Sequence, residues 1–264
     1  MSTANRSMRR VLGSLTTAAA ACVVSLVGAS ALAATSTTTT FAGGNTEGWT
    51  GTGGFGGATT VDTADGNPAP SFRTQFPEFA IFGITFANDT NPAFLGDYTH
   101  APFTIGIDHK TRILRLFNPG VRDLVLELRD YDNPPTGFDY VSVYYDLGDL
   151  RDPGAGGSGQ WEHASVTVAN PTQATLPAGW GGTGAENPVT FEPELPPDRT
   201  FASVLAGVDE IVFTTFKPGF FYVDSFFDVA VDNISVSFIP EPGALGAFGG
   251  AALLALRRRR NPRS

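Results

Sequence analysis

Short runs in which apolar and polar residues alternate recur through the middle of this chain. Such alternation is typical of half-buried β-strands, and no segment of the middle keeps the apolar period of a helix. Turn-forming combinations of Pro, Gly, Asn and Asp separate the runs. We expect strands at residues 79–86, 103–107, 112–117, 124–128, 140–145, 163–169, 210–216, 220–227 and 229–238. Short antiparallel strands in this number predict one all-β domain, a jelly-roll β-sandwich, over residues 34–239.

Composition and charge narrow the function classes. The chain has 264 residues with 31 Gly and 19 Pro, which favours a turn-rich fold, and its formal net charge is −9. Residues 35–239 carry nine Lys and Arg against 25 Asp and Glu, so a nucleic-acid partner is excluded for this part. The single cysteine, Cys22, lies in the apolar N-terminal run, and its removal with that run would leave no thiol for disulfides, zinc or nucleophilic catalysis.

The N-terminus has the layout of a secretory signal peptide over residues 1–33. A start with three arginines precedes an uncharged run, which ends in small residues at Ala31 and Ala33. This pattern predicts cleavage by signal peptidase before Ala34 and export across the inner membrane. The alternative is an uncleaved membrane anchor, since the uncharged run is long enough to span a bilayer.

The C-terminus, residues 240–264, combines three features in a fixed order. Pro240, Glu241 and Pro242 are followed by an apolar run over residues 243–256. A basic stop then follows, formed by Arg257, Arg258, Arg259 and Arg260. Together these features resemble the PEP-CTERM sorting signal, also described as the ice-binding protein C-terminal domain. The resemblance implies recognition by an exosortase, a membrane enzyme that removes the tail.

The physical properties of this tail agree with such a sorting signal. A short membrane helix from the apolar run would insert transiently, and the arginines would stay on the cytoplasmic side. The protein would therefore reach the cell surface or the extracellular space, with a C-terminal membrane anchor before processing. A plain C-terminal anchor that is never cleaved is the alternative.

Two short motifs bracket the middle of the chain. Gly48-Trp49 lies near its start, and Asp232-Asn233-Ile234 lies near its end. This bracketing resembles secreted jelly-roll modules of the carbohydrate-binding and laminin type, in which the two strands are neighbours. The resemblance implies a structural calcium near Asp232, and Glu47 is the candidate partner ligand. Backbone N–H groups are the alternative partners for Asp232, whose alternation with its neighbours places it on the same strand face as Ile234.

Aromatic residues are the main candidates for ligand contact. Tyr144 and Tyr145 are adjacent, so on a strand they face opposite sides and one of them is expected to be exposed. Trp180 stands among glycines, and we expect it on an exposed loop. These three side chains predict a platform on which sugar rings stack, and the alternative is that they pack in the core.

No combination of residues predicts catalysis. The sequence lacks the motifs of nucleophilic hydrolases, P-loops and zinc enzymes, and calcium is the one cofactor that it suggests. We therefore expect an exported structural or adhesive protein of the cell surface or extracellular matrix. The alternative is a carbohydrate-binding module whose partner is an extracellular polysaccharide. A polysaccharide-acting enzyme is the third reading.

Overall fold

The computed structural model describes residues 35–239, and this range folds into fourteen β-strands with one short α-helix. The strands are β1 (Ser36–Thr39), β2 (Trp49–Gly51), β3 (Ala58–Asp62), β4 (Ser71–Ile81), β5 (Thr85–Asn88), β6 (Phe103–Arg115), β7 (Val121–Asp130), β8 (Val141–Arg151), β9 (Glu162–Val168), β10 (Trp180–Thr183), β11 (Ala185–Glu186), β12 (Pro193–Glu194), β13 (Glu210–Thr214) and β14 (Ser225–Phe238). The helix is α1 (Phe201–Leu205), and single 3-10 turns occur at Pro92–Phe94 and Pro153–Ala155. The predicted signal peptide and sorting signal lie outside the described residues.

Two antiparallel sheets form the sandwich. Sheet A has the strand order β3-β4-β14-β6-β9, and β1 pairs with the last part of β14. Sheet B has the order β10-β8-β7-β13-β5-β2, and a small ribbon joins β11 to β12. Neighbouring strands are antiparallel throughout, which confirms the all-β, jelly-roll sandwich predicted from the sequence. Within residues 35–239, no helix is long and apolar enough to cross a membrane.

The inner faces of the two sheets share one apolar core rich in phenylalanine. Phe72 on sheet A meets Phe86 on sheet B edge to face, with ring centroids 6.0 Å apart. Within sheet B, Trp49 lies 6.0 Å from Phe213. Full burial of each such ring contributes roughly 1.5–3 kcal/mol to folding, so the alternating apolar residues account for the association of the two sheets.

Several strand boundaries differ from the prediction. The predicted strand 79–86 is wrong because the chain leaves sheet A after Ile81 and enters sheet B at Thr85. Segment 103–107 and most of segment 112–117 belong to one strand, β6, which ends at Arg115. The strand predicted at 220–227 begins only at Ser225, because the turn before it leaves Phe220 and Phe221 unpaired and exposed. Helix α1 went unpredicted since five residues are too few to show a helical period.

Candidate functional site

The outer face of sheet B carries a cleft of about 470 Å³, within the range of small-molecule sites. Residues of β7 and β10 lie at its floor, and residues 137–140 and 216–220 line its two walls. Pro193, the first residue of β12, also lines the cleft. It is lined by Glu127, Arg129, Gly137, Phe138, Asp139, Tyr140, Thr183, Pro193, Phe216, Lys217, Pro218, Gly219 and Phe220.

Strand β7 positions the two charged residues at the floor. Successive side chains of a strand alternate between its faces, so Leu126 and Leu128 enter the core while Glu127 and Arg129 face the cleft. Arg129 donates to Oε2 of Glu127 from Nε at 2.9 Å and from a terminal nitrogen at 2.6 Å. Its other terminal nitrogen donates to Glu210 on β13 at 2.9 Å. Arg129 therefore holds two carboxylates in fixed positions.

Hydroxyl groups complete this network. The Ser142 hydroxyl donates to Oε1 of Glu127 at 2.6 Å and also lies 2.8 Å from the hydroxyl of Thr183. On the other side, the Tyr131 hydroxyl donates to Oε2 of Glu210 at 2.8 Å. Glu127 is only 3% exposed, so its charge depends on these donors for compensation.

The network shifts the titration of its members. Burial alone would lower the pKa of Arg129, but Glu127 raises it well above its usual range. Burial also raises the pKa of Tyr131 to about 12, and its bond to Glu210 acts in the same direction. The pKa of Tyr140 rises to about 12 by burial and by the nearby charge of Glu127. Both phenols therefore remain neutral donors at physiological pH.

Aromatic rings form much of the cleft walls. The guanidinium of Arg129 lies 4.3 Å from the ring centroid of Tyr140, which fixes that ring at one end. The ammonium of Lys217 lies 5.0 Å from the ring of Phe220 and donates to Asp146 at 2.7 Å. Phe220 is nevertheless 61% exposed, so a face of its ring is available to a ligand.

The floor beside Glu127 is flat. Tyr144 pairs with Gly181 across β8 and β10, and any side chain at position 181 would overlap the Tyr144 ring. On the other side, Val125 and Val212 are buried although they project from the same outer face as Glu127. The glycine thus lets the tyrosine ring lie across the sheet.

The predicted aromatic platform is therefore only partly in place. Tyr144 and Tyr145 do face opposite sides, as expected, and Tyr144 is the one on the cleft face. Tyr145 packs against the core, with its ring 5.4 Å from that of Trp180. The expected exposure of Trp180 is wrong: it begins β10, faces inward and lies 5.1 Å from the ring of Phe201. Trp180 and Tyr145 shape the core beneath the cleft.

Asp232 lies in a separate polar cluster on the outer face of sheet A. It accepts hydrogen bonds from the backbone N–H groups of Asn67 at 2.6 Å and Asn233 at 2.7 Å. The expected shared face with Ile234 is wrong, because a bulge in β14 follows Asp232 and Asn233 has a φ of 47°. Ile234 enters the core as a result.

Burial raises the pKa of Asp232, and the neighbouring charges of Asp108 and Glu47 raise it further. Asp108 in turn accepts from the side-chain amides of Asn67 at 3.0 Å and Asn233 at 2.8 Å. Nitrogen donors thus satisfy both aspartates. Among residues 35–239, no group of three or more metal-ligating side chains is placed to hold an ion. Calcium at Asp232 and Glu47 stays a prediction.

Sequence reasoning missed most of the cleft. Glu127 and Arg129 carried one usable signal, since they are charged residues on alternate positions of an otherwise apolar strand. Glu210 shows no such signal, because only the pairing of β13 with β7 brings it to Arg129. Phe220 and Phe138 come from loops whose course follows from tertiary packing.

No protein-family model and no curated protein matches this sequence. Among solved structures, the chain is similar to the C-terminal family 22 carbohydrate-binding module of a Clostridium thermocellum xylanase, with 11% identity, a TM-score of 0.41, and coverage of 78% of this chain and 94% of that one. It is also similar to the family 11 carbohydrate-binding module of a Clostridium thermocellum cellulase, with 11% identity, a TM-score of 0.44, and coverage of 78% and 96%.

A third similar structure joins a family 22 module to the catalytic module of the Clostridium thermocellum xylanase, in complex with xylohexaose. The identity is 11%, the TM-score is 0.43, and the match covers 77% of this chain but only 28% of that one. The chain thus spans less than a third of that enzyme. Independently of these similarities, the strand order of sheets A and B defines the two-sheet fold described above.

Proposed function

We propose that this chain is an exported carbohydrate-binding protein that holds a stretch of uncharged polysaccharide in the cleft of sheet B. The observation that carries this proposal is the combination of exposed aromatic rings in the walls with a fixed, hydrogen-bonded polar floor. Sugars need both features, because their ring faces are apolar and their edges carry hydroxyl groups.

The floor suits hydroxyl recognition. Arg129, Glu127 and Thr183 present donors and acceptors that are already held by neighbours, so a ligand is bound with little loss of side-chain entropy. The strong excess of acidic residues over residues 35–239 disfavours polysaccharides that carry carboxylate or sulfate groups. A neutral glycan is therefore the expected ligand class.

The test is a substitution in the cleft wall. Phe220→Ala should weaken binding of the secreted protein to a neutral polysaccharide about tenfold, because it removes one stacking surface. Phe117→Ala is the matched control, since Phe117 is 89% exposed and lies in the turn between β6 and β7 rather than in the cleft lining. Affinity electrophoresis against a panel of soluble glucans, xylans and mannans measures both.

Equal binding by wild-type protein and the Phe220→Ala variant would contradict the cleft assignment. So would a result in which the protein binds no polysaccharide in the panel. Release of soluble sugar during the incubation would show hydrolysis, and the protein would then be an enzyme. We expect retention without release, because Arg129 and hydroxyl groups hold both Glu127 and Glu210 as ion-paired carboxylates.

Export and sorting form the second part of this proposal. The signal-peptide pattern before Ala34 and the tail that begins at Pro240 support removal of both ends. Glu241→Ala leaves the hydrophobicity of the tail almost unchanged, so membrane insertion should persist while cleavage by an exosortase stops. Mass spectrometry of the wild-type protein and the Glu241→Ala variant, each from the native host, measures whether the tail has been removed. Equal tail cleavage in both proteins would reject the sorting mechanism.

An adhesive role is the second candidate, and one observation favours it. Strand pairing places the turns after β2, β4, β6 and β13 at one end of the sandwich, opposite the end at which residue 239 follows β14. These turns and the last part of β4, here named the aromatic tip, expose five phenylalanines: Phe55, Phe79, Phe82, Phe117 and Phe221. Loss of surface adhesion on joint substitution of Phe82 and Phe117 by Ser, with polysaccharide binding retained, would establish this role.

A further inference from the structure

The rings of the aromatic tip belong to turns that touch each other. The ring of Phe79 lies over Gly56 in the turn between β2 and β3, so closely that a Cβ atom at position 56 would overlap it. The ring of Phe216 lies in the same way over Gly83, the residue that follows Phe82. These contacts join the turns after β2, β4 and β13 into one surface.

The turn between β6 and β7 is tied to the segment that follows β13. Arg122, just after this turn, donates to the backbone carbonyl of Val223 at 2.8 Å and to the hydroxyl of Ser225 at 2.6 Å. Phe117 in the turn is 89% exposed, and Phe221 in the segment is 88% exposed. The two most exposed rings of the tip therefore stand on segments that are bonded to each other.

The area of the aromatic tip approaches what a protein–protein interface needs. Its five rings are 48–89% exposed. At about 200 Å² for a fully exposed phenylalanine, the tip presents about 700 Å² of apolar surface. The largest apolar patch of a monomeric protein measures roughly 300–600 Å², and a stable interface buries about 800 Å² on each partner. The size of the tip thus favours a protein partner.

The aromatic tip is also the place where two copies of this chain repel each other least. Residues 35–239 carry nine Lys and Arg against 25 Asp and Glu, so like charges oppose approach through most of the surface. Three of the four turns contain no charged residue: 52–57, 82–84 and 116–120. In the fourth turn, Lys217 is paired with Asp146 at 2.7 Å. A second copy can therefore approach at the tip.

One residue of the tip keeps an exposed ring in a strained conformation. Phe55 has a φ of 49° and is 81% exposed. A left-handed backbone is disfavoured for a bulky side chain. Residues strained in this way cluster at sites where ligands or partners are bound. Phe55 is thus a second observation that marks the tip as a place of contact.

Two other occupants fit the tip less well. A sugar surface needs polar groups beside the aromatic rings, and phenylalanine, the ring type that the tip exposes, provides none. A lipid surface is usually bound by an apolar face with basic residues around it. Here Arg122 and Lys217 are both engaged within the protein. At the rim, Arg115 is outnumbered by Glu78 and Asp224.

We propose that the aromatic tip binds the aromatic tip of a second copy of this chain. Identical surfaces that meet in this way pair about a two-fold axis, so the assembly closes as a dimer. Residue 239 follows the far end of β14, so the two C-terminal ends of the described range point away from each other. The inference names a partner for the adhesive role proposed above and rests on that role for the direction in which the tip faces.

Sedimentation velocity of the secreted protein over a range of concentrations measures this self-association. We expect a monomer–dimer equilibrium that shifts towards the dimer at high salt, because salt screens the repulsion between the acidic surfaces. Joint substitution Phe82→Ser and Phe117→Ser should weaken self-association at least about tenfold, because it removes two of the five rings from the contact. Both side chains are exposed, so an unchanged melting temperature should accompany the loss.

The matched control is joint substitution Val189→Ser and Phe191→Ser. These side chains are 81% and 71% exposed and belong to the turn between β11 and β12, outside the tip. The control removes a similar apolar area, so its self-association should equal that of wild type. Equal weakening by both pairs of substitutions would mean that surface hydrophobicity in general causes the association, and it would overturn the proposal.

Hydrogen–deuterium exchange locates the interface. Backbone amides of residues 52–57 and 116–120 should exchange more slowly at concentrations at which the dimer forms, whereas the turn between β11 and β12 should be unaffected. Protection of an edge strand such as β9 or β10 instead would show that copies pair through their sheets, which contradicts contact at the tip.

Failure of this inference and failure of the adhesive role give different results. Surface adhesion that depends on Phe82 and Phe117, by a protein that stays monomeric at millimolar concentration, leaves the adhesive role and overturns the second copy as partner. A dimer that depends on the same residues, without surface adhesion, supports the inference and removes the adhesive role. Binding of the monomer to phosphatidylcholine vesicles or to crystalline cellulose, lost in the same variant, would assign the tip to a lipid or sugar surface instead.

Discussion

At the scale of single residues, Asp65 connects the segment between β3 and β4 to the outer face of sheet A. It accepts hydrogen bonds from Lys110 at 3.0 Å and from Trp161 at 3.3 Å, and it forms an ion pair with Arg112. Burial alone would raise its pKa, but the hydrogen bonds from Lys110, Arg112 and Trp161 outweigh burial and hold the pKa of Asp65 at about 2. The charged form of this carboxylate therefore stabilises the fold.

Asp65→Asn should lower the free energy of unfolding at pH 7 by about 1–2 kcal/mol, less than the full shift implies because the side chain retains solvent contact. The folded pKa lies below the ordinary value of 3.8, so the contribution is complete well above pH 3.8 and is lost as the pH falls towards 2. Urea unfolding at pH 7 and pH 3 should show the gap between wild type and variant shrink to about half.

Asp149→Asn serves as the control for this experiment. Asp149 pairs with Arg151 where both side chains are substantially exposed, so its loss should change stability by less than about 0.5 kcal/mol. An equal effect of Asp65→Asn at both pH values would show that shape rather than charge stabilises the segment.

At the scale of elements, the turn between β2 and β3 holds an aromatic residue in a strained position. Gly54 and Gly57 exchange backbone hydrogen bonds of 3.1 and 2.9 Å, so Phe55 and Gly56 form a two-residue loop. Phe55 has a φ of 49° and is 81% exposed. A left-handed conformation costs a side chain such as this about 1–2 kcal/mol, whereas Asn-Gly is the preferred pair in this kind of turn.

Phe55→Asn should therefore raise stability by about 0.5–1 kcal/mol, which is a rise of a few degrees in melting temperature for a domain of this size. Differential scanning calorimetry measures the shift. Phe117→Asn is the control: Phe117 is equally exposed but has no positive φ, so its melting temperature should stay the same. A lower melting temperature for Phe55→Asn would mean that the phenylalanine ring packs usefully against the hairpin.

The elements also show what the sequence could and could not predict. Alternation correctly predicted strands such as β7 and β13, because one face of each is apolar and its period is visible locally. The same rule failed at Asp232, since a bulge inserts one residue and the pattern does not reveal it. Trp180 resembled a loop residue because glycines follow it, yet Gly181 serves to admit the ring of Tyr144. The cleft escaped prediction because its walls are set by packing between distant loops.

At the scale of the whole molecule, the first and last strands close the fold together. Ser36 pairs with Ser237, and Thr39 pairs with Ile234. The hydroxyl of Thr39 also accepts a hydrogen bond from the indole nitrogen of Trp49 at 3.2 Å. Both ends of the described range therefore pair with each other at β14, an inner strand of sheet A.

A fragment of residues 35–239 should fold alone, with a far-UV circular dichroism spectrum dominated by β-structure. A fragment of residues 41–239 should lose about 2–4 kcal/mol of stability in urea, because β1 is absent and the indole of Trp49 is left without a partner. Thr39→Val in the longer fragment isolates the second effect and should cost about 1–2 kcal/mol, whereas Thr39→Ser should cost less. A helical spectrum, or equal stability of the two fragments, would contradict this view.

The central place of β14 has a mechanical consequence. This strand pairs with β6 along nearly its whole length and with β4 and β1 on its other side. A pull applied at residue 239 acts along the strand axis, so it must shear many backbone hydrogen bonds at the same time instead of peeling them off singly. Forced unfolding is governed by the height of the unfolding barrier. A molecule held by its C-terminal end would thus resist tension at the strand where its own sheet is most fully paired.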